Sequence, residues 1–202
     1  MQSNHFSKYR WEAIRQAYRS WWNGTLDRPL IALTLDGYDP GRPEPKLPHH
    51  KFWSRYAFET PAEAVIDRMD YELSGRRFLG DAFPQVWINF GPGVVATFLG
   101  ATLRNGENTV WYQPKEVREI VDLGLKLDPG NDWFRRIGDL KQAAMDYWKG
   151  GVQVGMTDLG GILDLVSTFR PGENLLLDLY DHPEAVFQRS WEAHAAFWQA
   201  FR

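Results

Sequence analysis

Residues 151–186 read GVQVGMTDLGGILDLVSTFRPGENLLLDLYDHPEAV, and this stretch decides how the chain is read. It opens as an apolar run, Val152 to Met156, turns at Thr157-Asp158, and passes through Gly160-Gly161 into a helix-like segment. An apolar run followed by glycines and then a helix is the pattern of a buried strand handing over to a crossover helix. Working outward, two more runs end in the same way. Leu30–Leu35 ends at Asp36-Gly37, and Val86–Ile88 ends at Asn89 with Gly91 two residues on.

Helical spacing fills the intervals between these runs. Residues 6–22 carry Tyr9, Ile14, Tyr18 and Trp21-Trp22, and Asn23-Gly24 stops them. Thr60, Pro61 and Glu63 predict a capped helix whose apolar face continues through Leu73 to Phe78-Leu79. Val94–Ala101 predicts a short helix closed by Gly100, and Thr109–Tyr112 a strand in a hairpin. Trp133–Lys149 predicts a further helix, and another begins at Pro183. Residues 37–59 hold prolines, glycines and His49-His50, and loops of that length in compact domains usually serve binding. The order of elements predicts α/β units around a mostly parallel sheet, in one domain over residues 1–202.

Composition narrows the function. A net charge of -3 gives no reason to expect nucleic acid or an anionic membrane as partner. No apolar run approaches the roughly 20 residues of a membrane span, and the N-terminus lacks the apolar core of a secretory signal, so a cytoplasmic protein is expected. Without cysteine there is no thiolate metal site, and no cofactor is expected in this chain. No GxGxxG follows the first strand, and GxxxxGK[ST], HExxH and GxSxG do not occur. Ten tryptophans are spread along the chain, a distribution that suits core and interface filler.

Parallel strands bring their C-terminal ends to one face, where connecting loops build binding sites. Asp36, Asn89 and Asp158 are therefore expected at one mouth, with Gly160 allowing close approach of a small-molecule substrate. Tyr38 and Arg42, on the long loop, would join them if that loop folds over the mouth, Arg42 as a carboxylate clamp. The alternative for Asp36, Asn89 and Asp158 is that each only caps the turn or helix behind it. His49-His50, His182 and His194 read as loop, turn and helix-surface residues.

The segment VGMTDLGGILDLVSTFRPGENLLLDLYDHPEAV resembles uroporphyrinogen decarboxylase and its relatives, with Asp181-His182-Pro183-Glu184 matching a helix start of that family. RPLIALTLDGYDPGRPEP and FLGDAFPQVWINFGPGVVATFLGA are similar to its first and second strands and their loops. LKLDPGNDWFRRIGDLKQAAMDYWKG is similar to the family's helix before its next strand, so the likeness runs over about residues 25–190. The resemblance implies a (β/α)8 TIM-type barrel and either a decarboxylase-like lyase or a zinc-dependent corrinoid or thiol methyltransferase. It also implies differences. Thr34–Tyr38 carries an acid where the decarboxylases have arginines, and Asn89–Gly91 holds no carboxylate where they have an essential aspartate. The methyltransferase zinc ligands belong to the second half of the barrel, so zinc is expected only in a longer protein. A closed barrel takes about 250 residues. The chain is thus expected to be the N-terminal portion of one, its apolar last helix awaiting the missing half or a homo-oligomer. A compact α/β domain with that helix docked on itself, or a non-catalytic interaction module, is the alternative.

Overall fold

The structure is a computed structural model and describes residues 6–201. It is mixed α/β, with seven α-helices and six short strands among the described residues. In order these are α1 (Lys8–Trp22), β1 (Ala32–Leu35), α2 (Ala62–Ser74), β2 (Arg77–Gly80), β3 (Gln85–Trp87), α3 (Val95–Phe98), β4 (Thr102–Asn105), β5 (Val110–Gln113), α4 (Asp132–Trp148), β6 (Gln153–Gly155), α5 (Ile162–Phe169), α6 (Gly172–Asp181) and α7 (Pro183–Phe201). A single 3-10 turn, Trp53–Arg55, interrupts the long loop.

Among the described residues the strands form three two-stranded sheets: β1 with β2 and β4 with β5 antiparallel, and β3 with β6 parallel. They do not close into a barrel. The departure from a mostly parallel sheet begins at β2. Its residues share the apolar spacing of α2, but the helix ends earlier, where Gly75 N–H bonds to the carbonyls of Tyr71 and Leu73. Released there, Arg77–Gly80 runs back along β1, pairing Ala32 with Gly80 and Leu35 with Arg77. The expected burial of β1 fails for the same reason: all four of its residues are exposed beside this single partner strand. Nor does Thr60 cap α2; the N-cap is Pro61, with no side-chain hydrogen bond.

The chain divides into two compact units. The first comprises the described residues up to His50, Tyr56–Ile88 and Asp139–Met156; the second comprises Lys51–Arg55, Asn89–Gly138 and the residues from Thr157 on. In the first, Trp11 and Ile14 of α1, Val65, Ile66, Met69 and Leu73 of α2, and Trp148 are buried. Asp70 lies fully buried among them, where it accepts from Trp148 Nε1 at 2.9 Å and Tyr147 Oη at 3.3 Å. Burial first, then Asp70 and Asp67, push the Tyr147 phenol up to about 12. In the second unit, Phe90, Val94, Val95, Ile120, Leu165 and Val166 are buried. There the Arg170 guanidinium forks onto Asp178 at 2.6 and 3.0 Å and also meets Glu119 at 2.7 Å. Hydrogen bonding to Asp178 raises Arg170 further above its already high value.

A second fork joins Arg28 to Asp81, at 2.6 and 2.8 Å, while Asp81 also accepts from Ile31 N at 2.8 Å. This holds the start of β1 against the end of β2. The Arg28 hydrogen bond draws the Asp81 carboxyl down to about 2. Because the folded value lies below the ordinary one, the stabilisation is complete above pH ~4 and is lost as pH falls toward 2. Asp81→Asn is expected to lower unfolding stability by about 2–3 kcal/mol at pH 7, less than a fully buried pair because half of Arg28 is in solvent. Its denaturant midpoint should also become flatter than the wild type's between pH ~4 and ~2. Equal pH profiles for the two proteins would rule this account out.

Candidate functional site

The parallel pair β3–β6 is in register, Gln85 with Gln153 and Trp87 with Gly155. Beyond it the chain runs into two turns of the same make: Asn89-Phe90-Gly91 and Asp158-Leu159-Gly160. In each, the first side chain's Oδ1 accepts from the backbone N–H two residues on, at 3.0 Å from Gly91 and 2.8 Å from Gly160. In each, the middle residue is buried and the glycine has positive φ, 79° at Gly91 and 78° at Gly160. Asn and Asp do this because a short polar side chain can replace the backbone acceptor of a turn.

The two turns back onto each other. Val94 N–H donates to the Asp158 carbonyl at 3.3 Å. A Cβ built on Gly160 would lie 2.6 Å from Gly93 Cα, and one on Gly91 would lie 2.8 Å from Val110 Cβ. Both positions therefore require glycine for space as well as for conformation.

Three polar groups belong to these turns or touch them. Tyr112 of β5 donates its hydroxyl to the Phe90 carbonyl, and its ring edge lies 4.0 Å from a Cβ built on Gly93. Burial first, and the Asp158 charge second, raise its phenol well above the ordinary range. It stays protonated and acts as a donor. The Asp158 carboxylate keeps its second oxygen, Oδ2, without a hydrogen bond among the described residues. Thr157 is buried, and its hydroxyl has no hydrogen-bond partner among the described residues. A buried hydroxyl left unpaired costs about 1–3 kcal/mol, so a native chain normally reserves one for something.

The other expected site residues are placed differently. Asn89 commits both ends of its amide to structure, since Nδ2 also donates to the Lys51 carbonyl at 2.9 Å. Asp36 follows β1, whose partner is β2, and pairs with Arg76 at 2.8 Å in an exposed contact. Tyr38 donates its backbone N–H to the Gly75 carbonyl, and Arg77 stacks 4.6 Å from its ring. Arg42 meets Asp67 at 2.9 Å and Asp70 at 3.5 Å and lies over the Tyr71 ring, so its charge fastens the long loop to α2. Tyr112 and Thr157 are the residues that the sequence reading passed over. The repeated Asx-X-Gly tripeptide was the available signal, and it recurs at Asp39-Pro40-Gly41 and Asp128-Pro129-Gly130, where the same 2.8 and 2.9 Å hydrogen bonds form.

Among the described residues no three His, Cys, Asp or Glu side chains gather as metal ligands. No described helix is long and apolar enough to cross a membrane. A groove of about 450 Å³ is lined by Glu12, Arg15, Gln16, Arg19, Ser20 and Asn23, and it is the surface of α1 alone.

Two substitutions separate the turn role of Asp158 from its charge. Asp158→Asn keeps an Oδ1 acceptor for Gly160 N–H and should change stability by less than about 0.5 kcal/mol, whereas Asp158→Ala should cost about 1 kcal/mol. Gly160→Ala should cost at least about 2 kcal/mol, combining an unfavourable positive φ with a backbone clash. Gly138→Ala, at an open helical position, should instead stabilise by about 0.5–1 kcal/mol. Urea titrations check all four, and equal effects at Gly160 and Gly138 would remove the close-approach argument. Comparison with protein-family models, with curated proteins and with solved structures finds no match to this chain.

Proposed function

We propose that the chain is a divergent relative of the uroporphyrinogen decarboxylase and corrinoid-type methyltransferase superfamily, its elements corresponding to strands and helices of a (β/α)8 barrel. On this reading it binds a small molecule at the turns that follow β3 and β6. The observation that carries the binding proposal is the buried Thr157 hydroxyl, which has no hydrogen-bond partner among the described residues and directly precedes Asp158 in a glycine-bounded turn. Parallel pairing of β3 with β6 is consistent with such a barrel, in which ligands sit at the strand C-terminal ends.

The chemistry of the groups selects the ligand. Asp158 offers a negative charge, Tyr112 is a phenol held in its protonated form, and Thr157 can donate or accept. A polycarboxylate would meet repulsion at Asp158, so the ligand is uncharged or cationic and bears hydroxyl or amine groups. This separates the chain from decarboxylases that gather acidic tetrapyrroles. An interaction module is the second reading, favoured by the exposed aromatic face of α7.

A thermal-shift screen with small polyols, cyclic amines and a porphyrin bearing several carboxylates tests the proposal. A polyol or amine should raise the melting temperature, and the porphyrin should not. Thr157→Val should weaken the hit about tenfold, while the unligated protein becomes equally or more stable because a stranded hydroxyl has gone. Asp158→Asn should weaken a cationic hit by a similar factor. A hit indifferent to both changes, or tight binding of the porphyrin, would overturn the assignment.

A further inference from the structure

Helix α7 carries Phe187, Trp191, His194, Trp198 and Phe201 at spacings of four, three, four and three. That is the a/d pattern of a coiled-coil seam, and it lies on the face of α7 turned away from its own protomer. The opposite face does the internal packing: Val186, Ala193 and Ala196 are buried, where α7 meets α5 and α6. The aromatic seam stays outside, with Phe187 65% exposed, Trp191 57%, Trp198 44% and Phe201 47%. Its rings form one edge-to-face ladder, with centroids 6.1, 5.3, 6.1 and 5.3 Å apart from Phe187 through Trp191, His194 and Trp198 to Phe201.

We propose that this seam pairs with the same seam of a second copy of the chain, the two α7 helices running antiparallel about a twofold axis at His194. The order of the side chains is its own complement. Phe187 faces Phe201 of the second copy, Trp191 faces Trp198, and His194 faces itself. Opposed helix dipoles favour the antiparallel direction.

Three observations favour a second copy as occupant. First, Gln188, Ser190, Ala195 and Phe197, which flank the seam from Phe187 to Trp198, carry no charge. The nearby charges are settled within the protomer, Arg189 on Glu192 at 2.7 Å and Glu192 on Leu125 N–H at 3.0 Å. Like therefore meets like without repulsion. Second, Trp198 Nε1–H donates to His194 Nε2 at 2.8 Å, so closing the seam does not strand that indole donor. Third, aromatic side chains bury roughly 150–250 Å² each, so the four half-exposed ones supply on the order of 400 Å² per protomer. That is about half of what a standard interface takes from each partner, which suits a reversible dimer rather than an obligate one.

Sedimentation equilibrium of the 202-residue chain should give a weight-average mass that climbs toward the dimer across the micromolar range. Trp191→Asp, on an exposed position, should leave the circular dichroism and melting of the monomer unchanged and weaken dimerisation at least ~30-fold. The absence of cysteine makes cross-linking clean. Mixed Phe187→Cys and Phe201→Cys chains should form the disulfide between the two variants in preference to either self-pairing. A chain that stays monomeric, a dimer indifferent to Trp191→Asp, or preferred cross-linking of the Phe187→Cys chain to itself would each overturn the proposal. None of these outcomes depends on the small-molecule reading.

Discussion

A backbone leaving a strand must find partners for N–H groups that the ladder no longer serves, and in this chain an Asx side chain does so within two residues. Asn89 and Asp158 each accept from a glycine N–H at 3.0 Å or less. In both of these turns the glycine lies in the left-handed region, which favours glycine, and the missing Cβ then lets the two turns approach until Gly160 and Gly93 leave no room for a methyl group. Burial of Phe90 and Leu159 between the turn ends anchors both. What remains open to chemistry is what the turns do not consume: the second oxygen of Asp158 and the Thr157 hydroxyl. Function, on this account, occupies the valences that local structure leaves over.

The same accounting governs buried charge. Asp70 is fully inside the first unit, with indole and phenol donors and the Arg42 guanidinium around it. Asp81 has a two-pronged arginine and a backbone N–H, and Asp178 has Arg170. Desolvating a carboxylate costs several kcal/mol, and only multiple well-directed donors return it. These sites therefore restrain which segments can meet more than they add net stability. Arg42 illustrates the consequence: a cation on a long loop looks like a ligand clamp, but an unpaired Asp70 would be so costly that the arginine is better used at home.

How much of this could be seen in the sequence depends on the range of each interaction. Helices α1, α4 and α7 and the short α3 were legible, because their spacing and the stops at Asn23-Gly24, Gly100 and Gly150-Gly151 are local signals. So were β3 and β6, expected within Val86–Ile88 and Val152–Met156, and their glycine turns. The tail of α2 was misread because Phe78-Leu79 satisfies helical spacing as well as strand alternation, and only pairing with β1 decides. The Asp81–Arg28 fork spans 53 residues and the Asp70–Trp148 bond 78, and no pattern in sequence announces either. Within the candidate site Asp158 and Gly160 were legible as an acid and a glycine after a strand. Thr157 and Tyr112 were not, since an unpaired hydroxyl and a shielded phenol are defined by their surroundings.

The tryptophans, expected as core and interface filler, divide between the inside and the surface. As core filler, ten such residues would be mainly buried, yet Trp21, Trp22, Trp87, Trp111, Trp191 and Trp198 are exposed while Trp11, Trp53 and Trp148 are inside. Scattered exposed rings are ordinary, because apolar atoms make up more than half of any folded surface. A heptad-spaced row is not ordinary, since independent placement does not generate a 4-3-4-3 rhythm along one helix face while a separate small-residue face packs inward. Alanine suffices where α7 meets its own protomer, and the large rings are kept for the other side. Large aromatic residues on a rigid helix lose few rotamers on association, which makes them effective contacts between chains. On the proposed dimer, the division of α7 into an alanine face and an aromatic face gives one side to its own protomer and the other to the second copy.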